Sequence, residues 1–168
     1  DSGTDLGHPF LDADADRANH WSWYLAAGAA DPDYCDVTSG DEVQWVDDLQ
    51  GHGTHVMGIV ASEGSSLYPQ YLGMAYGVDK TVHLKAGWLN CATGRASMWW
   101  SDMMWVVDRA LQHHDELRPS YGTDVFLDDV DGFNLSYGGT TTSDDPAGGQ
   151  FWDAVIDDYS NMVVTISA

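Results

Sequence analysis

The stretch Gly51-His52-Gly53-Thr54-His55-Val56-Met57-Gly58-Ile59-Val60-Ala61 decides how the rest of the chain is read. Glycines on both sides of His52 let the backbone turn tightly and let a neighbouring segment come close to the imidazole. The run from Val56 to Ala61 is apolar and poor in breakers, which predicts a buried helix with His52 in its first turn. There the positive end of the helix dipole disfavours the imidazolium. A carboxylate beside the ring would restore its basicity and hold one tautomer. The opening segment Asp1-Ser2-Gly3-Thr4-Asp5-Leu6-Gly7-His8-Pro9 again sets a titratable residue close to glycine, and Asp1 is the candidate for that carboxylate.

Downstream of this helix, Thr81 to Ala86 alternates and is β-branched at its start, and Asn161 to Ile166 is a short apolar run without a breaker; both read as strands. Phe126 to Leu135 supplies a strand between them. Ala96 to Leu117 has neither Gly nor Pro and carries Met98, Trp99, Met103, Val106, Ala110 and Leu117 near helical spacing, with Trp100 and Trp105 among further apolar positions. It reads as a helix buried on more than one side, its tryptophans belonging to core. A further helix is expected from Phe151, Val155 and Tyr159. Strands alternating with helices in this order predict an α/β fold with parallel neighbours joined by right-handed crossovers. In such a sheet, sites lie beyond the carboxyl ends of the strands. The segment from about Asp12 to Asp48 shows no clean period and reads as connecting surface structure.

Charge narrows the partners. The 168 residues carry 27 Asp+Glu against 6 Lys+Arg, a formal net charge of −21, which makes nucleic acid and anionic membrane poor partners. At 43% apolar residues the chain can still bury a sizeable core. No apolar run approaches the roughly 18–20 residues of a bilayer span, and no Met-led basic segment followed by an apolar stretch opens the sequence, so neither an anchor nor a signal peptide is expected. Of the 27 acids, 24 are Asp, and Lys80 and Lys85 are the only lysines. An excess of this size is tolerable where concentrated salt shortens the Debye length, so the surface reads as that of a halophile's protein. An ordinary acidic secreted protein, or one that neutralises Asp with calcium, is the alternative. Asp12, Asp14 and Asp16 resemble half of a calcium loop, but Gly and the closing Glu are missing at the required positions. His113 and His114 are adjacent and would point apart on a helix, so no metal site is assigned there. Cys35 and Cys91 allow either one bridge or two free thiols.

The segments around Asp1 and His52 resemble the Asp and His motifs of the subtilisin-like serine proteases, the subtilases. A third segment, Asp131-Gly132-Phe133-Asn134-Leu135-Ser136-Tyr137-Gly138-Gly139, is similar to the family's strand and S-x-G-G stretch beside the primary specificity pocket. The likeness continues through a helix at 148–160 into a strand at 162–168. The resemblance implies a three-layer α/β/α sandwich with a mostly parallel sheet, of which residues 1–168 form a partial catalytic domain. It implies a secreted serine-type endopeptidase, acting on peptide or protein substrates through an acyl-enzyme and requiring no cofactor. Asp1 would orient His52, and His52 would be the general base toward a serine. Ser136, Tyr137 and Gly138 would offer backbone hydrogen bonds to an extended peptide, and the loop through Cys91 to Gly94 would offer the opposite edge. Asn134 would be structural. His55, on the next turn of the helix, would be buried support, and Asp5 and His8 would serve local turns.

The departures matter equally. The family's oxyanion-stabilising Asn and its nucleophile motif have no counterpart here, since Gly122-Thr123 is followed by Asp124, and no apolar strand precedes Asp1. On this resemblance the chain is expected to be the middle of a catalytic domain, inactive alone, with the rest of that domain as its partner. The alternative is a catalytically inactive subtilase-like domain kept for binding or assembly.

Overall fold

The computed structural model describes residues 1–5, 7–11, 48–78, 81, 83–98, 100, 101, 103, 104, 107, 108, 132–136, 146–160 and 162–167. Helix α1 (His52–Ala61) starts after Gly51, whose φ of 91° is left-handed backbone that glycine adopts without a steric penalty. Its face is set by the 3.6-residue period. Gly53, Val56, Met57, Val60 and Ala61 are buried or half-buried, while His52, His55 and Ile59 are exposed. The expectation of a buried helix is therefore met on one face only, and Ile59, within the apolar run, is 54% exposed. At the C-terminal end the chain turns back, and the N–H groups of Met74 and Ala75 donate to the carbonyls of Ile59 and Val60 at 2.9 and 2.7 Å. That answers two carbonyls that a helix end leaves without intrahelical partners.

Strand β1 (Trp88–Asn90) and strand β2 (Arg95–Ser97) form an antiparallel hairpin with Trp88 opposite Ser97. The Asn90 side chain builds the turn, its Oδ1 accepting the N–H and hydroxyl of Thr93 at 3.0 and 3.2 Å, while Gly94 N–H donates to Asn90 O. This turn chemistry overrides the helical spacing read from Ala96 onward. Ala96 lies in β2, and the first described helical residue after it is Trp100. Ser101, Met103, Met104, Val107 and Asp108 are helical as well.

Strands β3 (Gly132–Leu135) and β4 (Val163–Ile166) are parallel, in register from Gly132 opposite Val163 to Leu135 opposite Ile166. A parallel pair needs a crossover, and helix α2 (Pro146–Asp158) lies between the two strands in the chain. Pro146 opens it, where a missing N–H costs least. Residues 126–131, the first part of the strand expected from Phe126, lie outside the described residues. Thr81 to Ala86, expected as a strand, carries no regular ladder among the described residues. Instead the Asp1 nitrogen donates to Leu84 O at 3.0 Å and Ala86 N–H donates to Asp1 O at 2.9 Å. That is the bond pattern of one parallel bridge centred on Asp1 and Lys85, too short to form a ladder.

Ala86, Met103, Val107, Leu135, Trp152, Val155 and Met162 form one buried cluster, with Leu84, Met98, Trp100, Phe133, Phe151 and Val164 packed against it. Each fully buried aliphatic or aromatic side chain of this kind contributes about 1.5–3 kcal/mol. The cluster gathers side chains of β3, β4, α2, the 100–108 helical residues and the 84–86 segment on which Asp1 is hydrogen-bonded. What the described residues carry of the expected sheet is thus the β3–β4 pair and the Asp1 bridge, beside a separate hairpin.

Candidate active site

The Asp1 carboxylate and the His52 imidazole meet at the edge of this framework, with His52 Nδ1–H donating to Asp1 Oδ1 at 2.8 Å. A carboxylate can only accept, so the neutral ring carries its proton on Nδ1 and leaves Nε2 as the proton acceptor. Asp1 Oδ1 also accepts Ser2 N–H at 2.6 Å. The side chain of Asp1 is 24% exposed and that of His52 49%, so the couple lies at the surface with the carboxylate on the inner side.

Three short contacts tie the loop at residues 1–5 to the first turn of α1. Gly53 N–H donates to Ser2 Oγ at 3.0 Å, Asp5 N–H donates to Thr54 Oγ1 at 2.9 Å, and His52 bonds Asp1 as above. The backbones touch at Gly53, where a Cβ would overlap Gly3 O and stand 3.1 Å from Asp1 Oδ1. On the inner side, Thr4 Oγ1 and buried His83 Nδ1 share a hydrogen bond. The neighbouring cavity, about 20 Å³, is lined by Thr4, Leu11, Met57, Ala61, Glu63, Thr81 and His83, and has room for roughly one water.

Asp48, read from the sequence as connecting surface, is instead the acceptor on which this arrangement converges. Its Oδ1 accepts the Ser2 hydroxyl and Gly51 N–H, both at 2.8 Å. Its Oδ2 accepts Thr54 N–H at 2.8 Å and the Thr54 hydroxyl at 2.7 Å. Burial pushes the Asp48 carboxyl up, but the bonds from Thr54, Gly51 and Ser2 outweigh it and hold the group below the ordinary carboxylate value. Gly51, at the N-cap position, brings no side-chain cap, and three side chains from outside the helix answer its first N–H groups: Gln50 Oε1 accepts His52 N–H, Ser2 Oγ accepts Gly53 N–H and Asp48 Oδ2 accepts Thr54 N–H. An acid just before a helix start was the available signal.

The other expected site residues are placed as follows. Ser136 is half-buried at the end of β3, where its Oγ accepts Asn134 Nδ2–H at 2.8 Å. Asn134 Oδ1 also accepts the Thr165 hydroxyl of β4 at 3.1 Å, so Asn134 links the two parallel strands. Tyr137, Gly138, Asp12, Asp14, Asp16, His113, His114 and Cys35 lie outside the described residues. Cys91 is disulfide-bonded. His55 is exposed, which corrects its expected buried role: three residues after His52 on a helix, it shares the solvent-facing side. Asp5 Oδ1 accepts Gly7 N–H at 3.0 Å and His8 Nδ1 accepts Phe10 N–H at 3.3 Å, each a local turn bond. No group of His, Cys, Asp and Glu among the described residues could hold a metal ion. No described helix is long and apolar enough to cross a membrane.

The chain matches no protein-family profile and no solved structure.

Proposed function

We propose that this chain supplies the Asp–His couple and the substrate-binding strands of a subtilisin-like serine endopeptidase of secreted, acidic type. The observation that carries the reading is the 2.8 Å bond between His52 Nδ1 and Asp1 Oδ1 within the two motif segments. With Nδ1 committed to Asp1, Nε2 takes the proton of a serine hydroxyl as it attacks the scissile carbonyl. The imidazolium so formed is stabilised by the Asp1 carboxylate, and it then returns the proton to the leaving amine as the acyl-enzyme forms. Deacylation repeats the sequence with water in place of the serine. Ser136 follows the carboxyl end of β3, where parallel sheets place their ligands, and on the resemblance it would offer backbone to an extended peptide together with Tyr137 and Gly138. No serine of these 168 residues sits in the family's nucleophile motif, so the reading assigns the nucleophile to no residue named here.

The test uses the full product of the gene that encodes this chain, with fluorogenic peptides and an organophosphonate that labels active serines. Hydrolysis and labelling are expected, and His52→Ala should lower both by several orders of magnitude. A folded product that binds peptide but neither cleaves nor takes the label would replace this reading with that of an inactive binding domain.

A further inference from the structure

Both hydroxyls that hold the Asp1 loop on α1 give their single proton to the same carboxylate. Ser2 Oγ–H donates to Asp48 Oδ1 at 2.8 Å, and Thr54 Oγ1–H donates to Asp48 Oδ2 at 2.7 Å. A hydroxyl has one proton, so one spent on Asp48 turns its lone pairs elsewhere. Here they meet backbone donors across the junction: Ser2 Oγ accepts Gly53 N–H from α1, and Thr54 Oγ1 accepts Asp5 N–H from the loop. The two links run in opposite directions, one from helix to loop and one from loop to helix. Neither has its acceptor correctly turned without a proton acceptor at Asp48.

From this geometry we infer that Asp48 is the positioning residue of the Asp1–His52 couple, acting through Ser2 and Thr54 without touching either member. The inference rests on the endopeptidase reading only for its consequence in catalysis; its structural content concerns the tautomer of His52. Asp48 also accepts Gly51 N–H and Thr54 N–H, so the carboxylate sets the helix start and the loop at once. An amide at this position has a single acceptor oxygen, and its NH₂ would donate into one of the hydroxyls. That reverses one link and leaves a backbone N–H facing a hydroxyl proton.

The test reads the imidazole ¹⁵N shifts of His52 in the full product of the gene that encodes this chain, at a pH where the ring is neutral, since these distinguish Nδ1–H from Nε2–H directly. The wild-type ring is expected chiefly in the Nδ1–H form. In Asp48→Asn that preference should be lost, with the ring moving toward the Nε2–H form favoured by unconstrained imidazole, while circular dichroism shows the helices retained. A role confined to capping α1 would lower the melting temperature and leave the tautomer of the folded protein unchanged, which would overturn the inference. Should Asp48→Asn fail to fold, Ser2→Ala and Thr54→Val each remove one link: a tautomer shift in either supports the proposal, and none in both overturns it. Asp1→Asn separates the two readings. If it leaves the Nδ1–H form intact, the couple itself is wrong and the proposed function goes with it. If it abolishes that form while the Asp48, Ser2 and Thr54 variants do not, the inference about Asp48 fails and the endopeptidase reading stands.

Discussion

Asp48 Oδ2 accepts two hydrogen bonds from one residue, from the backbone N–H of Thr54 at 2.8 Å and from its hydroxyl at 2.7 Å. Such a paired acceptor at the start of α1 is where charge, helix geometry and the candidate site become one problem.

The carboxyl of Asp48 is held below the ordinary range, so its contribution to stability has a definite sign. A depressed carboxylate stabilises the folded chain above the unfolded value, near 4, and that contribution is lost as pH falls through the lower folded value. Asp48→Asn should therefore cost about 1.5–3 kcal/mol at neutral pH, the usual worth of a hydrogen bond to a charged group. The gap from wild type should narrow as the pH drops below about 4. Urea unfolding of both proteins across this pH range measures it; a gap that is constant or widens in acid contradicts the assignment.

Gly53 packs on the Gly3 carbonyl with no room for a methyl group. Gly53→Ala must push the helix start off the loop at residues 1–5, because the atom it meets is backbone and cannot rotate away. Overpacking of this kind costs about 1–3 kcal/mol or more. The separation of Asp1 and His52 should grow with it, so thermal melts and the His52 ¹⁵N signature should change together. An alanine variant that melts like wild type would show that the two backbones are not in contact.

Trp152 is buried in the core cluster, yet its Nε1 has no hydrogen-bond partner among the described residues. A buried N–H left unanswered costs about 1–3 kcal/mol. Trp152→Phe deletes that donor along with part of the ring, so the two effects oppose one another. Its measured loss should be small beside the 3–5 kcal/mol typical of aromatic-to-alanine changes, which Trp152→Ala should show. Equal losses for the two variants would mean that the indole N–H is satisfied in solution.

A formal charge of −21 on 168 residues sets the response to salt. Repulsion among exposed carboxylates is already partly screened at about 0.1 M, where the Debye length is near 10 Å. A brine-adapted surface should continue to gain melting temperature into the molar range, where salting-out anions also favour burial. A gain confined to low salt would indicate ordinary electrostatics. A flat or falling curve, together with loss of stability in a chelator, would assign the acidity to bound calcium.

Local sequence carried a good part of this. The helix at His52–Ala61, the strand at 163–166 and the helix before it were legible because each shows a period or an unbroken apolar run that backbone geometry alone interprets. Ala96 was misread because helical spacing among Met98, Trp99 and Met103 extends past the point where Asn90, Thr93 and Gly94 close a hairpin. Short strands yield to turn chemistry, which is fixed by side-chain bonds that periodicity does not register.

By itself the sequence determined the candidates Asp1 and His52, the helix that His52 opens and the acidic excess, since residue type and spacing are local properties. Only the tertiary structure decided that Asp1 reaches His52 at 2.8 Å, that His55 is solvent-facing, and that Asp48 receives the hydroxyl protons of both Ser2 and Thr54. Those facts depend on which segments the core brings side by side. Ser2 and Asp48 stand 46 positions apart in the chain, and no spacing rule links residues that meet only because two backbones cross at Gly3 and Gly53.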